Sequence, residues 1–420
     1  MVKIYRKGFL FLALLTFGLA GIPRQDACAA SPSVKKKEVV VGGLFSLTGG
    51  WSTLGQSSQA ALEIAVDDVN AYLSRVDARI RFAALVEDTQ LIPELALEKL
   101  RRLAKQKVRI VVGPQSSAEV ARLKAFADAN DVLIISQSST AGTLAIAGDN
   151  IFRFTPADDL EGEAIAALMH ADGVKTVVPL WRDDPGNSGL HEATTKDFQA
   201  LGGRVESGVE YSSSASDFSA AVAAVSAQVS AARVATGDDA AVAVYLAGFD
   251  EVAAIFQLAQ GDAVLASTRW YGSDGVALSG ALLSDPVAAA FAQQVGYPNP
   301  LFGLDEAAAV KWEPVAARIR EKTGTEPESF ALGVYDAVWV AAKALISHRG
   351  RVSFDEFTQD FPEEAASFFG TTGWTVLNAA GDRQFGNFDF WAIRTVDSSR
   401  QWTRVARYNT ATKEIVRDEP

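Results

Sequence analysis

Two serine-rich segments follow short apolar runs that have the length and composition of buried β-strands. Ser116 and Ser117 follow the run 108–112, and the segment 136–140 (SQSST) closes the run 132–136. A helix is expected to begin at Ser116, which would place hydroxyl and backbone N–H groups at the positive end of a helix dipole. Such a helix end binds a carboxylate readily. The hydroxyls and carbonyls of the second segment could share that carboxylate and also accept a hydrogen bond from an ammonium group.

Two more loops could complete a ligand site. Trp51 lies in a glycine- and serine-rich loop, 46–55, and Asp274 lies in the loop 270–275 (WYGSDG), where it supplies a carboxylate. Each polar loop also has a simpler explanation, because serine and threonine commonly cap helices and aspartate commonly precedes glycine in turns. The functional prediction therefore depends on the combination of the loops.

The segments between these loops alternate between strand-like and helix-like patterns. Strands are predicted over 39–44, 80–86, 108–112, 132–136, 176–180, 205–211 and 241–246. Helices are predicted around 62–73 and over 91–105, 116–130, 190–201, 218–234 and 252–260. This alternation predicts an α/β fold with parallel sheets covered on both faces by helices. Two runs of about five strands exceed one sheet with one core, so we expect two doubly wound, Rossmann-like lobes. Ligands of such sheets bind at the carboxyl ends of the strands, where the polar loops lie.

The C-terminal third has a different pattern. Helices are predicted over 306–323, 329–348 and 353–361, followed by β-like runs at 374–377, 390–394 and 402–408. The last two runs predict a hairpin. A terminal hairpin fits poorly into a simple doubly wound order, so we expect the chain to cross back between the lobes.

The N-terminus has the pattern of a secretory signal. Basic residues precede an apolar run, 9–20, and the small-residue segment 27–30 (ACAA) follows. The run is too short to span a bilayer, so 1–30 is predicted to be a signal peptide and 31–38 a solvated leader, although a short membrane anchor is the alternative. Cys28, the single cysteine, is expected to be removed with the signal, with lipoprotein anchoring as the alternative. The mature protein would then be periplasmic and without disulfides.

Several classes of function are disfavoured. The chain has 420 residues and a formal net charge of −12, which makes nucleic acid an unsuitable partner. His170, His191 and His348 have no metal-ligand spacing, and the common hydrolase, zincin, dinucleotide and phosphate-loop motifs are missing. We therefore predict a protein that is not an enzyme and uses no cofactor or metal. No later stretch offers about 18 uncharged apolar residues for a membrane span.

From about residue 39 to the C-terminus, the chain resembles a known family. The segments that carry the likeness are GGLFSLTGGWSTLGQ, VGPQSSAEV, VLIISQSSTAGTLA with FRFTPADD, GVYDAVWVAAKAL and GTTGWTVLNAAGDR. They are similar to the type I periplasmic binding proteins, in the branch of the leucine/isoleucine/valine-binding proteins. The resemblance implies two lobes joined by a three-segment hinge, with a ligand clamped between them. It assigns 39–156 with 300–372 to the first lobe and 157–299 with 373–420 to the second.

The resemblance also implies roles for individual residues. Ser117 would bind the α-carboxylate of an amino acid, and Ser138 would offer its main-chain carbonyl to the ammonium group. Thr140 would contact both groups, and Asp274 would pair with the ammonium. Ser116 and Ser139, beside these positions, are also predicted to bind the ligand.

Two aromatic residues complete the predicted site. Phe249 matches an aromatic position of the second lobe, and Trp51 lies in the loop that flanks the ligand side chain. The sequence departs from the family in two places: the loop 182–189 has no aromatic residue, and Asp274 is one methylene shorter than the usual glutamate. Because of both departures, the sequence does not identify the side chain of the ligand.

The resemblance implies a monomeric, non-enzymatic solute-binding protein that delivers its ligand to the permease of an ABC transporter. The ligand would be an amino acid or a related small polar solute. The alternatives are a ligand-sensing subunit of a signalling system, or a binding protein for an amide, urea or an aromatic acid.

Overall fold

The computed structural model describes residues 36–348 and 352–418. The predicted signal peptide, Cys28 and the leader up to residue 35 lie outside the described residues. The strands are β1 (Lys37–Phe45), β2 (Ile80–Asp88), β3 (Ile110–Val112), β4 (Leu133–Ser136), β5 (Ile151–Arg153), β6 (Thr176–Asp183), β7 (Arg204–Val205), β8 (Val209–Ser212), β9 (Val242–Ala247), β10 (Arg269–Tyr271), β11 (Asn299–Phe302), β12 (Phe369–Gly370), β13 (Gly373–Trp374), β14 (Phe388–Val396), β15 (Ser399–Asn409) and β16 (Glu414–Arg417). The helices are α1 (Ser52–Arg75), α2 (Pro93–Lys105), α3 (Ser117–Ala129), α4 (Asp158–Ala171), α5 (Pro185–Ala200), α6 (Ser219–Thr236), α7 (Val252–Ala259), α8 (Gly280–Ser284), α9 (Pro286–Val295), α10 (Ala309–Thr323), α11 (Ser329–Ser347) and α12 (Phe354–Ala366).

The first sheet is parallel and has the strand order β2-β1-β3-β4-β5. Because successive side chains of a strand point to opposite faces, β3 contributes to two cores. Ile110 and Val112 pack with α1, α10, α11 and α12 on one face, whereas Val111 packs with α2 and α3 on the other. Both faces are thus buried, as the near-continuous apolar runs predict.

The second parallel sheet has the order β10-β9-β6-β7, and β8 also pairs with β6. Val242 and Val244 pack against α6, α7 and α9, while Ala243 and Tyr245 pack with α4 and α5 on the opposite face. The prediction of two lobes, each a parallel sheet between helices, is confirmed.

A third sheet is antiparallel, in the order β11-β14-β15-β16. It contains the predicted hairpin as β14 and β15, which are longer than the sequence pattern indicates. The backbone N–H of Arg153, in β5, also donates a hydrogen bond to the carbonyl of Gly381, which lies near the end of the chain. The C-terminal third therefore contacts the first sheet as well as forming its own. The boundaries predicted for the two lobes remain a proposal.

Some predicted elements differ from the observed ones. The predicted strand 205–211 is divided into β7 and β8 at Gly208, whose φ is 67° and where a Cβ would lie 2.6 Å from the Pro179 carbonyl. The run 374–377 forms only the end of a two-residue strand, β13. Strand β5 was not predicted, because its three residues, two apolar residues and an arginine, are too few to give a periodic signal.

Within the described residues, one helix, α11, is long and apolar enough to cross a membrane. It carries Asp336 and Lys343, and 72% of its most apolar window is buried inside the protein. Its residues belong to the core beneath the first sheet. Helix α11 is therefore a core helix of this fold.

Candidate functional site

The first part of the site is the start of α3. Ser116 is the N-cap residue, and its hydroxyl accepts a hydrogen bond from the Glu119 N–H at 3.3 Å while the Glu119 carboxylate accepts from the Ser116 N–H at 3.1 Å. Gly113 allows the loop before α3 to pass close to β1, because its φ is +92° and a Cβ there would lie 2.1 Å from the Leu44 carbonyl. The capping explanation therefore holds for Ser116. It leaves Ser117, the first helical residue, facing the space between the lobes.

The segment 136–140 lies directly beside this helix end. The hydroxyl groups of Ser117 and Ser139 are 3.0 Å apart, and Ser117 also accepts a hydrogen bond from the Ala141 N–H at 3.2 Å. Ser138 donates its hydroxyl to the Gln115 carbonyl at 2.9 Å. These bonds fix both loops at the carboxyl edge of the first sheet, where parallel strands end together.

Trp51 joins the two lobes. Its ring is 4.8 Å from the ring of Phe249 and meets Phe330 edge-on at 6.1 Å. Its backbone N–H donates to the Asp250 carboxylate at 2.7 Å, and Asp250 also accepts from the Ser279 hydroxyl at 2.7 Å. The indole N–H of Trp51 is buried without a hydrogen-bond partner. These contacts hold the loop after β1 against the loops that follow β9 and β10.

The second sheet contributes a group of buried carboxyls. Asp274 donates its backbone N–H to Glu161 at 3.1 Å, so the Glu161 carboxyl lies beside Asp274. Burial raises the pKa of Asp274 to about 7 and that of Asp158 to about 8, and it raises the pKa of Glu161 well above the usual range, to which the charges of Asp274 and Asp158 add.

Seven of the eight predicted site residues line one cavity between the lobes. They are Trp51, Ser116, Ser117, Ser138, Thr140, Phe249 and Asp274. Ser139 lies behind Ser117, to which it is hydrogen-bonded. The cavity has a volume of about 20 Å³, which is room for about one water molecule. The lobes are therefore nearly closed on each other, and an amino acid could enter only through an opening motion. The roles of these residues toward a ligand remain predictions.

The sequence analysis missed three residues that line the same cavity: Gly186, Asn187 and Leu190. They belong to α5, which begins at Pro185 after the N-cap residue Asp184. A Cβ on Gly186 would lie 3.5 Å from the Ser117 hydroxyl, so the starts of α3 and α5 face each other across the cavity. The pair Asp184-Pro185 after an apolar run was the available signal, since it is typical of a helix start at a strand end.

The sequence analysis also missed Asp158 and Glu161. Both lie in the first turn of α4, where acidic residues usually need no further explanation because they favour the helix dipole. In the described part of the chain, no group of three or more His, Cys, Asp or Glu side chains is arranged to hold a metal ion.

Comparisons with known proteins agree with this geometry. Residues 57–395 match the family model described as the receptor family ligand binding region. An uncharacterised protein of Methanocaldococcus jannaschii is 29% identical over 417 residues, which cover 94% of this chain and 96% of that protein.

Solved structures share the fold. A leucine-binding protein of Thermotoga maritima superposes with a TM-score of 0.72 at 22% identity, covering 89% of this chain and 99% of that one. The solute-binding protein of an ABC transporter from R. palustris, solved in complex with benzoate, gives a TM-score of 0.69 at 17% identity, covering 91% of this chain and 98% of that one. With the family model matching most of the chain, and with two parallel-sheet lobes around one cavity, this chain belongs to the type I periplasmic binding protein family of receptor ligand-binding regions.

Proposed function

We propose that this protein captures an amino acid or a closely related polar solute outside the cytoplasm and delivers it to the permease of an ABC transporter. The observation that carries the proposal is the polarity of the cavity between the lobes. Hydroxyl groups and the start of α3 lie on one wall, and the Asp274 carboxyl lies on the other. A ligand with an anionic and a cationic group would match both walls at once.

In this proposal Ser117 and the backbone N–H groups at the start of α3 bind the carboxylate of the ligand. Thr140 and the Ser138 carbonyl contribute from the neighbouring loop. Asp274, supported by Glu161, pairs with the ammonium group. The rings of Trp51 and Phe249 pack against the ligand side chain and close over it.

A second candidate ligand class is the aromatic acids. One structural relative is a solute-binding protein in complex with benzoate, and the two rings could sandwich a third. However, a benzoate has no cationic group to pair with Asp274, and an ionised Asp274 would repel its carboxylate. The polarity of the cavity therefore favours the amino-acid ligand.

The test is a thermal-shift screen of the purified protein, starting at residue 31, against amino acids, amides, urea and aromatic acids. A ligand at 1,000 times its Kd adds about 4 kcal/mol to the free energy of unfolding, which raises Tm by several degrees. X-ray scattering with the same ligand measures how far the protein becomes more compact on binding. A small change indicates that the free protein is already closed, and a larger change indicates that it is open in solution. If no solute of these classes shifts Tm or the scattering, the proposal is wrong.

The identity of the partner protein distinguishes a transport function from a sensing function. The family model describes receptor ligand-binding regions, so a sensing role is the second candidate function. We expect the liganded protein to bind its cognate permease in detergent and to stimulate the attached ATPase. Stimulation of a receptor kinase or another signalling subunit without any effect on a permease would support sensing instead.

A further inference from the structure

Asp274 lines the cavity, and three more buried acids interact electrostatically with it, although they are not lining residues themselves. Asp158, Glu161, Asp274 and Glu328 have exposed fractions of 2%, 1%, 7% and 1%. The nearest guanidinium, Arg153, is already bound to Asp382, with an N–O distance of 2.7 Å for one of its two hydrogen bonds. Asp274 and the three acids that interact with it thus receive little compensation from this cation.

A second arginine near the site is also already paired with acidic residues. Arg182 lies 5.5 Å above the Phe249 ring and forms ion pairs with Asp184 at 2.9 Å and with Glu251 at 3.3 Å. It therefore balances its own two acids and leaves the cavity acids without a counter-charge.

Two of the acids lack hydrogen bonds altogether. Both carboxyl oxygens of Glu328 and both of Asp158 are buried without a hydrogen-bond partner. The charged groups that act on Glu328 are Asp250 and Asp274, both negative. Asp158 faces Asp274 and Asp159 in addition to the committed Arg153, while the Thr140 hydroxyl lies near it but outside hydrogen-bonding geometry.

Protonation alone does not satisfy these groups. A neutral carboxyl still has one O–H donor and acceptor oxygens that need partners when buried, and leaving them unpaired costs about 1–3 kcal/mol each. Among the described residues, no donor within hydrogen-bonding distance meets Glu328. A ligand ammonium or guanidinium would supply both the charge and several N–H donors.

The position of Glu328 suits the far end of a ligand side chain. It is the residue before α11 and lies two positions from Phe330, whose ring meets the Trp51 ring of the cavity wall. Trp51 and Phe249 present aromatic faces, which attract cations as well as alkyl chains. A side chain that runs along these rings toward Glu328 would end among negative groups.

We propose that the ligand is a cationic amino acid, whose α-ammonium group meets Asp274 and Glu161 and whose side-chain cation is directed toward Glu328. This inference rests on the proposed function and names the ligand class of the same site. It differs from the neutral and anionic ligands of the solved relatives, one of which is a leucine-binding protein and another a complex with benzoate.

The test uses two amino acids of nearly equal shape and different charge, L-arginine and L-citrulline, in titration calorimetry with the wild-type protein. L-lysine and L-norleucine form a second such pair. We expect the cationic member of at least one pair to bind at least tenfold more tightly than its neutral analogue. Equal or tighter binding of the neutral member in both pairs would overturn the inference.

A variant then tests the assigned residue. Glu328→Gln keeps the shape and removes the charge, so it should lower the affinity for the cationic amino acid at least tenfold and reduce the discrimination against the neutral analogue. The matched control is Glu87→Gln, since Glu87 is also buried but has its own cations in Lys99 and Arg102 on α2. That control should leave both affinities unchanged.

The possible failures are distinct. If leucine or another neutral amino acid binds while arginine and lysine do not, the proposed function survives and the cationic ligand is wrong. If no amino acid and no other solute of the screened classes binds, both proposals are wrong. If discrimination is present in the wild type but unchanged in Glu328→Gln, Glu328 is not the partner of the side-chain cation.

Discussion

Replacing Asp274 by asparagine is the most direct test of how the cavity recognises its ligand. Asp274 is 7% exposed and lies on the opposite wall from Ser117. Removing one partner of a buried charge pair costs about 3–5 kcal/mol. Here the charge of Asp274 raises the pKa of Glu161, so Glu161 can ionise more readily in the variant and recover part of the pairing with the ligand ammonium. We therefore expect a loss of about 3 kcal/mol, or roughly a hundredfold weaker binding.

The role of Glu161 gives this prediction a second, sharper form. Glu161→Gln alone should weaken binding less than tenfold, because Asp274 remains. The double variant should weaken binding by more than the product of the two single effects, since no carboxyl is left to replace the other. Titration calorimetry on the three variants, with the solute that gives the largest thermal shift, measures this coupling. Simple multiplication of the two effects would show that the carboxyls do not act as a pair.

A matched control separates binding from folding. Asp336 is also a fully buried carboxyl, but it accepts hydrogen bonds from Thr371 and Thr372 through their backbone N–H and hydroxyl groups. Asp336→Asn should lower Tm and leave affinity unchanged, whereas Asp274→Asn should lower affinity and leave Tm unchanged or raised. If Asp274→Asn lowers Tm and binds the ligand as the wild type does, Asp274 is a turn residue and the reasoning is refuted.

Other predictions follow from the same contacts. Ser117→Ala should weaken binding by about 1–3 kcal/mol in calorimetry, less than Asp274→Asn, because the N–H groups at the start of α3 remain. Asp250→Ala should weaken binding about tenfold and open the molecule in X-ray scattering, because Asp250 accepts hydrogen bonds at 2.7 Å from Trp51 and Ser279; an unchanged affinity would contradict its closing role. The unliganded protein should be less stable at pH 8 than at pH 5, because a carboxyl whose pKa is raised in the folded state holds its proton there and loses it as the pH rises. For Asp158, with a pKa of about 8 against an ordinary value of about 3.9, this effect between pH 5 and pH 8 is about 3–4 kcal/mol, and Asp158→Asn should reduce the pH dependence of Tm. Mass measurement of the exported protein should place its first residue near Ala29 or Ala30, and a lipid on Cys28 would contradict this prediction.

The sequence predicted the two parallel sheets because their signal is local. Strands that are buried on both faces are continuous apolar runs, and the amphipathic helices between them are equally visible. Strands β5 and β11 gave no such signal. Strand β5 has three residues, and β11 contains Pro300 and depends on pairing with β14, which is almost a hundred residues away along the chain. Their positions are set by long-range pairing, which local periodicity does not report.

The first wall of the site was easier to predict than the second. Ser117, Ser138 and Thr140 lie in serine-rich loops directly after strands, so their types and positions indicate a polar pocket together. Glu161 lies in the first turn of a helix, where an acid is ordinary. Its contact with Asp274 joins residues 113 positions apart and arises only when α4 packs beneath β10. Glu328 is a similar case. From the sequence it is an ordinary residue at the start of a helix, and only the structure shows that its carboxyl oxygens have no hydrogen-bond partner.

The equilibrium between the open and closed arrangements depends on opposing free-energy contributions, and a ligand can shift it. The aromatic contacts of Trp51 and its hydrogen bond to Asp250 favour closure. The burial of Asp158 and Glu328 near Asp274 opposes it, because buried carboxyls lose hydration and their ionised forms repel one another. Moving such an equilibrium from 1:99 to 99:1 takes a differential binding free energy of about 5.5 kcal/mol. One ammonium group paired with a buried carboxyl supplies a large part of this, and a second cation supplies more. A solute without positive charge would bind without relieving the repulsion, so the same acids that oppose closure would select the ligand.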